Sequence, residues 1–142
     1  MAFEEKSTWI LGIVSVVAYA VYAFVVLDLA RAMPLAEVDY VPAMLGTIGA
    51  AIVVSILSHI VVVIASRKDL GKKDQRDRQI YRMGEYVGQS FVVAGAIAAM
   101  LFAMVELPHF WIANVLYLAF ILSAILGTIT KLVSYRRGLP AW

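Results

Sequence analysis

The 142-residue chain has no cysteine. Disulfides, thiol redox chemistry and thiolate metal sites are excluded together, and with them the four-helix membrane enzymes that pass disulfide electrons to quinones. Histidine occurs twice, as His59 and His109, which fall on opposite sides of the expected membrane, so one chain cannot supply a bis-histidine haem pair at matched depth. Enzyme signatures are missing as well: there is no G-x-S-x-G, no H-E-x-x-H and no phosphate loop. The expectation is a protein that is not an enzyme and needs no cofactor. Charge is scarce, at 15% of residues against about 25% in soluble domains. The first apolar run holds only Ser15, Tyr19 and Tyr22 as polar groups, whereas a small four-helix multidrug exporter would be expected to carry an embedded glutamate there.

Apolar residues fill the space that charge leaves. They make up 63% of the chain, and mean hydropathy is +0.86. The length accommodates four spans of roughly 20 residues with short connections and no separate soluble domain. The spans are expected at about 9–27, 41–65, 83–104 and 110–133, in a single domain covering 1–142. The fold class is an all-α membrane protein, four transmembrane helices in an antiparallel bundle. Ala18-Tyr19-Ala20 imitates a signal-peptidase site, but the segment before it is not positive and the apolar run continues past Ala20, so the first span is expected to be retained.

Placement of Lys and Arg sets the expected orientation. Lys6, the seven cations from Arg67 to Arg82, and Lys131, Arg136 and Arg137 share one side, against Arg31 alone on the other. The positive-inside rule puts both termini and the central connection in the cytoplasm. Trp9, Tyr135 and Trp142 suit an inner aromatic belt, and Tyr40, Phe110 and Trp111 an outer one. The protein is read as a multi-pass resident of the bacterial cytoplasmic membrane.

The one long polar stretch runs from Lys72 to Gln89 and passes without a break into the third span. Asp74 suits an N-cap and Asp77 the positive end of a helix. A helix of about 30 residues is about 45 Å long, so the third helix should extend out of the bilayer from about residue 75. Asp74, Asp77, Arg78, Tyr81 and Arg82 form a candidate cytoplasmic docking stripe. Its mixed charge and lack of further aromatics argue against nucleic acid. Cations beside a span also attract anionic lipid, at about 1 kcal/mol each; ordinary topogenic charge is the plainest reading.

Below the stripe, Ser58 and His59 of the second span, Glu85 and Gln89 of the third, and Thr128 and Lys131 of the fourth have comparable depth. They form a candidate functional polar cluster, since ionisable groups inside a membrane are costly. The competing reading is a structural network, with Glu85 paired to Arg82 or Lys131. Small residues at four-residue spacing (Gly84 and Gly88; Gly95, Ala99 and Ala103; Ala119, Ser123 and Gly127) suit close helix packing, within one bundle or across a homodimer. Asp28, Glu37, Asp39, Glu106 and His109 give the outer face a negative cast but match no known cation loop, so no metal site is expected.

Lys73-Asp74-Gln75-Arg76-Asp77-Arg78-Gln79-Ile80, then Gly84-Glu85 and Pro108-His109-Phe110-Trp111-Ile112-Ala113-Asn114, resemble a family of small, uncharacterised bacterial four-helix membrane proteins. Some members are encoded beside small helix-turn-helix regulators. The resemblance covers about the second half of the chain, and Gln75 stands where an acidic residue is expected. It implies a topology and, through that gene neighbourhood alone, points toward a cytoplasmic regulator as partner. The first functional reading is therefore a membrane partner or sensor for such a regulator. The second is a small transporter or ion-conducting oligomer built on the polar cluster.

Overall fold

The computed structural model describes residues 3–65 and 75–138. Four α-helices dominate: α1 (Phe3–Leu29), α2 (Val41–Ala65), α3 (Gln75–Met104) and α4 (His109–Arg137), with a one-turn 3-10 helix (Leu35–Glu37) after α1. All four are long and apolar enough to cross a membrane. The expected spans lie within these helices, and α3 begins at Gln75 as a continuous extension of its span. Asp74, the expected N-cap, lies outside the described residues, as do Arg67, Lys72, Lys73 and Trp142.

Packed neighbours run antiparallel. Gly12 of α1 faces Thr128 of α4, and Gly84, Gly88 and Gly95 of α3 face Lys131 and Gly127, Ser123 and Ala119 of α4 respectively. The α3–α4 pair is the most extensive, α4 also packs on α1, and α2 packs chiefly on α1. The order across the assembly is thus α3–α4–α1–α2. It is more open than a closed four-helix bundle, because α2 and α3 share no substantial contact. No residue of α2 is buried, and a Cβ added at Gly46 or Gly49 would meet nothing.

The physical reason for the dominant pair is the small-residue seam. Lipid tails are as apolar as leucine, so helices gain from association only where backbones approach closely. A Cβ at Gly88 would lie 2.8 Å from the Ser123 carbonyl oxygen, closer than packed atoms tolerate. The rows at four-residue spacing therefore pack within one chain, except Ala103, which is exposed.

A tight turn joins the pair. Leu107 N–H donates to the Phe102 carbonyl at 3.0 Å and Glu106 N–H to the Ala103 carbonyl at 3.1 Å, the two bonds of a Schellman stop. Glu106 occupies the left-handed position, with φ 55°, where glycine is usual. Pro108 then precedes α4, which fixes the sharp exit. At this loop end Tyr22, Val26, Val38, Phe110, Tyr117 and Ile121 form the apolar core. Phe110, expected in an aromatic belt, is instead buried, its ring edge-on to Tyr40 at 5.4 Å; the 3-10 helix packs on α4 and closes over it. Trp111 remains exposed.

Candidate functional site

At the opposite, polar end α3 and α4 continue side by side as a paired stub. Ile80 is 0% exposed and Ser134 is buried. Arg76 Nη2 donates to the Tyr135 carbonyl at 3.5 Å, a long bond on an exposed side chain. A β-branched apolar residue in so polar a stretch is the local signal for this pairing, because it marks the face that α4 covers. Arg78, Gln79 and Arg82 of α3, and Arg136 and Arg137 of α4, stay exposed. The α3 extension is therefore not a lone projecting helix. It is one half of a two-helix surface with an excess of arginine.

Lys131 links this surface to the interior. Its stem lies over Gly84: a Cβ there would fall 2.5 Å from Lys131 Cγ and 2.6 Å from Cε. The missing side chain is what lets the lysine cross to α3. Its Nζ donates to Glu85 Oε1 at 2.7 Å and stands 4.1 Å from the Tyr81 ring centroid. The two partners differ in setting, with side-chain exposures of 7% for Lys131 and 58% for Glu85. The ammonium is out of water, held by a carboxylate and a ring face, and the carboxylate is at the rim.

Glu85, Gln89, Thr128 and Lys131 all line one groove of about 390 Å³, within the span of small-molecule sites, about 300–1,000 Å³. The expected cluster is thus brought together in part. Ser58 and His59 sit on α2, whose partner is α1, and neither lines the groove. Depth was readable from the sequence; the order of helices around the assembly, which separates α2 from α3, was not. Thr128 has a packing role besides, since its side chain meets Gly12. Of the docking stripe, Arg78, Tyr81 and Arg82 are exposed and Asp77 is half-buried.

A second polar group, not anticipated from the sequence, lies toward the loop end. Tyr22 Oη donates to Asn114 Oδ1 at 2.6 Å, and Asn114 Nδ2 donates to the Phe110 carbonyl at 2.8 Å. Tyr117 and Thr47 hydroxyls lie 3.3 Å apart, and the Tyr19 and Tyr22 rings flank Tyr117. The signal was available as two i,i+3 pairs, Tyr19 with Tyr22 and Asn114 with Tyr117. The partners are mutually satisfied, which suits a polar clamp between α1, α2 and α4.

Asp28 and Arg31 make a surface ion pair at 3.5 Å. Among the described residues no group of three or more His, Asp or Glu side chains is placed to hold a metal ion. Comparison with family models, curated proteins and solved structures gives no match, so the family resemblance rests on the motif residues alone.

Proposed function

We propose that the protein is a non-enzymatic, multi-pass protein of the bacterial cytoplasmic membrane that serves as membrane partner or sensor for a cytoplasmic regulator. The polar stub of α3 and α4 is its docking surface. The orientation rests on the distribution of Lys and Arg: among the described residues seven of the eight, all but Arg31, lie at the stub end. The observation that carries the reading is the contact chain Tyr81–Lys131–Glu85. Tyr81 belongs to the docking stripe and Glu85 to the groove, and Lys131 touches both.

That chain gives a sensor its physical means. Any occupant that competes for Glu85 loosens its hold on Lys131 and changes how the ammonium sits on Tyr81. A cation–π contact is worth about 0.5–2 kcal/mol, enough to shift a docking equilibrium only if the occupant binds one arrangement better than the other. The second reading, a small transporter or ion-conducting oligomer, draws on the polar lining of the same groove.

One mutant set separates the two. Under docking, Asp77→Lys with Arg78→Glu reduces recovery of the regulator from native membranes at least about tenfold, the loss of one or two charge-assisted contacts, while thermal unfolding is unchanged. Under transport, Glu85→Gln abolishes a proteoliposome flux and the stripe variants pass. If recovery is intact in the stripe variants, docking on the stub is wrong.

A further inference from the structure

The groove has a mouth and a floor of different chemistry. It lies over α4 between α1 and α3, which both pack on α4 and not substantially on each other. Glu85 and Lys131 line one end and Val92 and Phe120 the other, while Leu11, from α1, lines it near the level of Thr128, which its neighbour Gly12 faces. Phe120 and Leu11 are exposed, so the groove opens sideways and is not a closed cavity.

Depth assigns the two parts to different layers of a bilayer. A hydrocarbon core needs about 20 helical residues, and that many counted back from Val105 end beside Glu85. The carboxylate then stands at the headgroup boundary. Val92, seven residues further along α3, is about 10 Å deeper by helical rise. A groove that starts at headgroup level and runs about 10 Å into hydrocarbon has the shape of an amphiphile.

Charge selects which amphiphile. The Lys131 ammonium is already engaged by Glu85 and the Tyr81 ring. The Glu85 side chain is mostly exposed, and a carboxylate has about four acceptor sites, of which Lys131 takes one. The mouth therefore offers hydrogen-bond acceptors to a cation carrying N–H groups. Among membrane lipids, a headgroup carrying a primary ammonium is the complement of such a carboxylate.

We infer that this groove binds one lipid of the phosphatidylethanolamine class, ammonium at Glu85 and one acyl chain along Val92 and Phe120. The inference needs a membrane around the helices but no regulator, and it stands apart from the docking reading.

The test uses the full-length protein in detergent, titrated by native mass spectrometry with phosphatidylethanolamine, phosphatidylcholine and phosphatidylglycerol of equal chain length. Wild type should bind phosphatidylethanolamine about tenfold tighter than the other two, the worth of one hydrogen bond to a charged group. Phosphatidylcholine lacks the N–H, and phosphatidylglycerol lacks the cation. Glu85→Gln should erase the preference. The exchange Glu85→Lys with Lys131→Glu keeps an ion pair if the single variant unfolds, and it should turn the preference toward phosphatidylglycerol. Val92→Trp should weaken all three lipids by filling the floor. Equal affinity of wild type for the three lipids, a preference that survives both charge variants, or unchanged binding in Val92→Trp would each overturn the proposal.

Discussion

Gly95→Leu is expected to unfold the α3–α4 pair at a markedly lower temperature than wild type, with a cost of about 3 kcal/mol, the upper end for overpacking in a tight interior. A Cβ at Gly95 alone would collide with the Ala119 side chain, and both atoms are fixed by helical backbone, so neither can turn aside. Relief requires the helices to part, which would also strip contact from Gly88 against Ser123. The control is on α2: Gly46→Leu meets open space and should leave unfolding in detergent nearly unchanged. A paired variant sharpens the test, because Gly95→Ala should be destabilising and Gly95→Ala with Ala119→Gly should recover most of the loss. If Gly95→Leu and Gly46→Leu behave alike, the seam does not hold these helices together.

The second large effect is an asymmetry. Glu85→Leu should destabilise the protein by about 2–3 kcal/mol, because it leaves the Lys131 ammonium in a setting with little water and no counter-charge. Lys131→Met should cost less than about 1 kcal/mol, because the exposed Glu85 carboxylate is hydrated when released. An ion pair viewed as a single bond predicts equal losses; the unequal burial of the partners predicts unequal ones. Glu106→Gln, at an exposed turn position, should change nothing measurable. Equal losses from Glu85→Leu and Lys131→Met in a thermal or chemical unfolding series would falsify this account of the pair.

Much of the molecule was legible from residue order alone, and the reasons are specific. Runs of about 20 apolar residues declare helices that can span a membrane, because the bilayer leaves the backbone no other partner. Small residues at four-residue spacing declared close packing. Depth along each helix was readable, so Glu85, Gln89, Thr128 and Lys131 could be grouped by their distance from the helix ends. Azimuth and neighbour order were not readable. Ser58 and His59 share that depth, yet α2 is separated from α3 by α1 and α4. Phe110 and Tyr40 looked like belt aromatics because a helix end is where belts occur, yet Phe110 is buried in the core and Tyr40 is half-buried against it. Ile80 could have revealed the stub, since one fully apolar side chain among arginines marks a covered face.

Everything proposed for the stub depends on which side of the membrane it occupies. The absence of cysteine allows a direct measurement: single cysteines placed at Arg78, Arg136 and Glu106, and a membrane-impermeant maleimide applied to intact cells. With the polar end in the cytoplasm, Glu106→Cys is labelled from outside, and Arg78→Cys and Arg136→Cys are labelled only after the membrane is opened. Labelling of Arg78→Cys in intact cells, with Glu106→Cys protected, would place the stub outside and contradict both the orientation and the docking function built on it.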